Sequence, residues 1–118
     1  MLNAGSDHMV KLDANESINP YNPFLAMWTS VTRTTERGSV IGLDEAITRE
    51  EALKMYTINN AYASFEESIK GSIEPGKLAD MVVLSDDLLN CQAEEIRKIE
   101  SVLTFVGGQV VYASGEIE

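Results

Sequence analysis

The sequence predicts a mixed α/β fold, helices first and strands after, and three observations carry that expectation. Apolar residues recur at helical spacing in Phe24, Met27, Trp28 and Val31. Thr48-Arg49-Glu50-Glu51 reads as a capping box, in which Thr48 accepts from a first-turn N–H while Glu51 reaches back. After Gly71 the period changes, and Gly107-Gly108 joins two strand-forming runs. A Gly-Gly link of that length signals a hairpin, because primed turns need positive φ.

The elements can be taken in chain order. Residues 1–22 hold no convincing period, and Asn15-Glu16-Ser17-Ile18-Asn19-Pro20-Tyr21-Asn22-Pro23 is rich in turn formers, so a long loop is expected. Pro23 opens a helix at the position where its missing N–H costs nothing, with Asn22 as N-cap and Gly38 marking the exit. Ile41-Gly42-Leu43 is a connector. Behind the capping box, Ala52, Leu53, Tyr56 and Ala61 share a face, and a break at Thr57 gives two short helices in tandem, the second capped by Thr57. Glu74-Pro75-Gly76-Lys77 is a turn, and Met81-Val82-Val83-Leu84 a short strand. Glu94 to Ile99 offers one or two helical turns before Val102-Leu103-Thr104-Phe105-Val106 and Gln109-Val110-Val111-Tyr112 flank the glycine pair.

Composition narrows the function. A chain of 118 residues has room for one small domain and not for a large barrel, while 44% hydrophobic content is ordinary for a folded protein. The formal net charge is -10, from 19 acidic and 9 basic residues, so nucleic acid and anionic membrane surfaces are not expected partners. One cysteine, Cys91, permits no internal disulfide and fits a reducing cytoplasm. No apolar run approaches a membrane span, and the first residues lack the charged and apolar regions of a signal peptide.

Few residues could carry chemistry. In Gly5-Ser6-Asp7-His8 an acidic residue comes after two small ones and leads into a long loop, where Asp7 could ligate a metal or act as a general base at a strand end. The bland reading of the same string is a solvated terminus. His8 is the only histidine, and a catalytic zinc site needs about three protein ligands, so a complete site within this chain is not expected. Residues 71–77 superficially suggest a phosphate loop, but Leu78 stands where Ser or Thr belongs. Cys91 lacks a cationic neighbourhood in sequence and reads as an incidental thiol. The paired acids Glu50-Glu51, Glu66-Glu67, Asp86-Asp87 and Glu94-Glu95 read as solvated faces, and Trp28, Phe24 and Tyr56 as core.

Three segments resemble one family. Gly71-Ser72-Ile73-Glu74-Pro75-Gly76-Lys77-Leu78-Ala79-Asp80-Met81-Val82-Val83-Leu84 is similar to the C-terminal signature of the amidohydrolase superfamily. Glu50-Glu51-Ala52-Leu53 with Tyr56-Thr57-Ile58-Asn59-Asn60-Ala61-Tyr62 looks like the helix pair before it, and Gly5-Ser6-Asp7-His8, Asn22-Pro23-Phe24 and Thr32-Arg33 look like the last barrel strand and its loop. The resemblance covers nearly the whole chain and is strongest to the N-substituted formamide deformylase-like branch.

The resemblance implies a division: residues 1–70 as the C-terminal end of a (β/α)8 metal-dependent hydrolase (TIM) barrel, and residues 71–118 as strands of a small composite β-sandwich with a hairpin. It implies hydrolysis of a non-peptide C–N bond of a small-molecule amide, with a divalent metal, zinc, in the complete enzyme and none held by this chain alone. Asp7 stands where the family places its catalytic, metal-binding aspartate. His8 faces away from it, and Arg33 either holds a substrate carboxylate or pairs with Glu36. The remaining ligands of the family pattern, an early His-x-His pair among them, are not in this sequence. Inactivity in isolation and self-association through uncovered apolar faces or strand edges are therefore expected. The competing expectation is a non-catalytic interaction or structural subunit that completes a larger hydrolase.

Overall fold

The computed structural model describes residues 1–5, 22–35 and 37–115. Helix α1 spans Pro23–Thr32 and begins as its sequence dictates: Asn22 accepts from the Phe24 N–H at 2.9 Å, and Pro23 fills the first position. Its exit differs from expectation. The helix ends not at Gly38 but at Arg33, which adopts the left-handed conformation (φ 55°) and donates its N–H to the Thr29 carbonyl at 2.8 Å. The cost of that φ for a residue with a Cβ is offset by the side chain, whose Nε donates to the Ile41 and Gly42 carbonyls at 3.1 Å each. Gly38 instead serves a small turn closed by the Thr34–Val40 bridge. A 3-10 turn at Leu43–Glu45 leads on.

Helices α2 (Arg49–Tyr56) and α3 (Ile58–Ala63) are the expected tandem pair. The capping box forms in both directions: the Glu51 N–H donates to Thr48 Oγ1 at 3.2 Å, and the Thr48 N–H donates to Glu51 Oε2 at 2.8 Å. Thr57 breaks the helix at φ -124°, ψ -99°. It does not cap α3, however. Its hydroxyl donates backward to the Leu53 carbonyl at 2.8 Å, the local bond a threonine reaches most easily, so the side chain finishes α2 instead. Behind α3 the chain passes Gly71 (φ +92°), where an added Cβ would lie 2.7 Å from the Ala61 Cβ and 2.9 Å from the Ile58 Cα. Only glycine lets the loop close onto the helix at this point.

Strands β1 (Met81–Leu84), β2 (Ser101–Val106) and β3 (Gln109–Ala113) form an antiparallel sheet in the order β1-β2-β3. Met81 stands opposite Phe105 and Thr104 opposite Tyr112. The glycine hairpin forms as expected: Gly107 and Gly108 both take positive φ, 58° and 78°. Two groups just before β1 anchor its tip, the Asp80 carboxylate accepting from the Gly107 N–H at 2.8 Å and the Ala79 carbonyl from the Gly108 N–H at 2.9 Å. Between β1 and β2 the expected helical turns form a 3-10 helix, Ala93–Lys98.

The core lies away from this sheet. Phe24, Met27, Trp28, Ala52, Leu88, Ile96 and Ile99 form one buried cluster, drawn from α1, α2 and the connection between β1 and β2. No strand residue is buried, and every residue of β3 is exposed. Val82, Val83, Val106, Val110, Val111 and Tyr112 all present large apolar surface. A sheet of this size needs an apolar face packed against something to be stable.

Four carboxylates are held below their ordinary range by hydrogen bonds to the ionised form. Glu51 is lowered by the Thr48 backbone and hydroxyl, Glu66 by Lys70 and then Ser64, Glu74 by Ser72 and then Lys77, and Asp87 by Asn90 and then the Leu89 N–H. Because the folded-state pKa lies below the unfolded one, each contribution is present above the ordinary carboxylate range, about 3.9–4.3, and is lost as pH falls through the folded value. The melting temperature is thus expected to drop as pH is taken below about 4, and Glu51→Gln is expected to make that acid limb shallower in a thermal-melt series across pH. Gly71→Ala is expected to destabilise the fold by roughly 1–3 kcal/mol in urea titration, from the backbone clash and the left-handed strain together.

Candidate functional site

The residue with the strongest chemical expectation, Asp7, lies outside the described residues, as do His8 and Glu36. What the structure does describe is the approach to Asp7 and His8. Residues 1–5 run along the junction of α2 and α3. The Ala4 N–H donates to the Met55 carbonyl at 3.1 Å, Asn60 Nδ2 donates to the Ala4 carbonyl at 2.8 Å, and Asn59 Nδ2 donates to the Leu2 carbonyl. The break at Thr57 makes the first of these bonds available. In an uninterrupted helix the Met55 carbonyl would accept from the N–H four residues on, Asn59. Here it faces the incoming chain.

Beside this junction is a half-open cleft of about 170 Å³ lined by Leu2, Ile47, Glu51, Lys54, Met55 and Asn59. That is smaller than the ~300–1,000 Å³ typical of a small-molecule pocket. Its one carboxylate, Glu51, is already engaged by Thr48. The cleft lies where the extended residues 1–5 meet the α2–α3 junction.

The other candidates resolve into structural roles. Arg33 pairs with Glu45 at 3.2 Å and donates from Nε to two carbonyls of its own loop, contacts that hold the chain turn, while Glu36, its expected partner, lies outside the described residues. Lys77 does not stand free in solvent. Its Nζ donates to Ser72 Oγ at 2.6 Å and Glu74 Oε1 at 3.1 Å, leaving that glycine-containing turn closed upon its own charges and unfit for a phosphate. Cys91, half-buried, has a cation nearby that its sequence neighbourhood does not reveal: Arg49 lies 3.8 Å from the sulfur while donating to the Leu88 carbonyl at 3.1 Å. Trp28 is core, 1% exposed, with the Arg97 guanidinium 4.8 Å from its ring centroid. Tyr56 packs against the same cluster, and burial raises its phenol pKa.

Among the described residues, no group of three or more His, Cys, Asp or Glu side chains comes together in a way that could hold a metal ion. The described residues therefore do not by themselves fit the divalent metal of the expected family. Nor does any helix among them have the length and apolarity to cross a membrane. Sequence reasoning overlooks Asn59 and Asn60. Two adjacent asparagines inside a six-residue helix are poor helix formers, and that local cost is the available signal that their amides are used elsewhere.

Comparison with known proteins places these features in a family. A family model described as "Amidohydrolase family" matches residues 1–112. The chain is 43% identical to N-substituted formamide deformylase of Arthrobacter pascens over 112 residues, covering 95% of this chain and 20% of that protein. It is 35% identical to imidazolonepropionase of Kosmotoga olearia over 116 residues, 95% of this chain and 25% of that one. The fold matches the crystal structure of an amidohydrolase from Thermotoga maritima with a TM-score of 0.57 and 25% identity, over 81% of this chain and 20% of the other. The chain thus spans a fifth to a quarter of the length of these curated relatives. With the match running almost from one end to the other, the chain belongs to the amidohydrolase family.

Proposed function

We propose that the chain serves as the C-terminal portion of a metal-dependent amidohydrolase acting on a non-peptide C–N bond, and that it works only in company with the rest of a barrel. On this reading residues 1–70 are the end of a (β/α)8 barrel and residues 71–118 are strands of a composite β-sandwich. The observation that carries the proposal is the uncovered sheet: three strands rich in valine, none of whose residues is buried, in a chain matching a fifth of its relative's length. Such a sheet has its stabilising partner elsewhere.

Asp7 is the residue through which this segment would contribute to catalysis and metal binding, in a site whose other ligands lie outside this sequence. Zinc is the metal proposed. The name of the deformylase relative favours a substrate of the N-substituted formamide type. A reducing cytoplasm suits the single cysteine. In isolation the chain self-associates through its sheet, since apolar area of this kind is stabilised by any contact that removes it from water.

Two measurements test this. Purified without added metal, the chain is expected to carry far less than one zinc per polypeptide by elemental mass spectrometry. A ratio near one would overturn the proposal that the site needs further polypeptide. Val111→Lys, at a position 60% exposed on β3, is expected to weaken self-association in sedimentation equilibrium while changing stability by less than about 0.5 kcal/mol. Unchanged association would mean that the sheet is not the contact.

A further inference from the structure

We propose that Phe65 is an anchor through which this chain docks onto the remainder of an amidohydrolase polypeptide; this rests on the reading above that the chain works in company with the rest of a barrel. Helix α3 ends in a Schellman turn, in which the Phe65 N–H donates to the Tyr62 carbonyl at 3.0 Å and the Glu66 N–H to the Ala61 carbonyl at 2.8 Å. Such a turn needs a left-handed residue just after the cap, and glycine normally supplies it. Here the residue is phenylalanine, at φ 61°. A bulky side chain raises the energy of that conformation. Arg33, the other left-handed residue with a Cβ among those described, offsets its cost with side-chain hydrogen bonds. Phe65 could offset its own only by burying the ring, yet it is 89% exposed. The strain serves no contact within the chain, which directs the ring outward to a partner.

The surrounding loop suits a docking surface. It is held against α3 at Gly71, close to Ile58 and Ala61, and the Leu78 N–H closes it by donating to the Ile69 carbonyl at 2.8 Å. A ring on so fixed a backbone loses little freedom on binding. The same loop leaves Ile69, Ile73 and Leu78 exposed, Ile73 by 82%. Two of its three carboxylates are already matched, Glu66 with Lys70 at 2.6 Å and Glu74 with Lys77 at 3.1 Å, so an apolar partner meets little unpaired charge. The structural comparison indicates the occupant. The fold match covers 81% of this chain and 20% of the Thermotoga maritima amidohydrolase, so in that relative a fold like this one is part of a much larger chain. The rest of such a chain is the partner proposed. A second copy is a poorer match, because each carries a net charge of -10 and repels the other.

The test compares wild type with Phe65→Gly and Phe65→Asn, which accept the left-handed turn without the ring, and with Phe65→Tyr, which keeps the ring. In the chain alone, Phe65→Gly is expected to raise the melting temperature by about 4 °C, since strain is relieved and no contact is lost. A fall would mean that the ring packs within its own chain, and would overturn the proposal. Sedimentation equilibrium of the same two proteins should show equal self-association; weaker association of the variant would assign the ring to a second copy and overturn it too. Each chain is then co-expressed with the Arthrobacter pascens deformylase from which the 112 matched residues have been deleted, and the complex is purified through a tag on this chain. The Gly and Asn complexes are expected to dissociate on the order of ten-fold faster than wild type, as loss of a central aromatic anchor predicts, and the Tyr complex at nearly the wild-type rate. Equal dissociation of all four sinks the anchor and leaves the functional reading standing. No complex even with the wild-type chain sinks that reading, and the anchor with it.

Discussion

The seating of the 3-10 helix Ala93–Lys98 against α1 is the contact on which the rest of this structure depends. Trp28, Ile96 and Ile99 are the largest of the fully buried side chains, and all belong to one cluster. That cluster is where the strand-bearing part of the chain meets the helices. β1 enters the connection through Leu84, Leu88 packs from the turn built on Asp87, and Ile99 leads into β2. Both ends of the sheet's central crossing are thereby fixed to α1, while the sheet itself reaches outward. Removing that contact would leave the β1-β2-β3 sheet without its connection's packing onto α1.

This arrangement explains why local elements are legible in the sequence and the overall layout is not. The N-cap at Asn22, the capping box at Thr48 and the paired glycines at 107 and 108 are short-range devices, complete within a few residues, and each forms where its chemistry dictates. The end of α1 departs from expectation because a glycine is the usual left-handed residue, and nothing adjacent to Arg33 reveals that its side chain will bond carbonyls eight and nine residues further on. Thr57 departs for a related reason: a threonine at a helix break can face either way, and here the backward bond to Leu53 prevails. The uncovered sheet is invisible to periodicity altogether. Valines that await a partner and valines that already have one spell the same pattern.

The candidate site divides along the same line. The segment around Gly71 and Asp80 lies within the family match, and in the structure its residues are structural: Gly71 permits close approach to α3, Asp80 holds the hairpin amide, and Lys77 closes a turn with Glu74. The chemistry expected of the family rests on Asp7, which lies outside the described residues. What the structure describes instead is the seating of residues 2–4 on the α2–α3 junction. That seating depends on asparagine amides and a released carbonyl, neither of which belongs to any sequence motif for catalysis.

The broken helix has a consequence for anyone who would stabilise this protein. Thr57, Asn59 and Asn60 are the positions that a propensity-guided redesign would replace first, since alanine or glutamate would favour one continuous helix from Arg49 to Ala63. Healing the helix would return the Met55 carbonyl to the helical ladder and evict the backbone it now receives. The junction is a point of local frustration, where a better secondary structure makes a poorer tertiary one. Its imperfection as a helix is the feature a designer should leave alone.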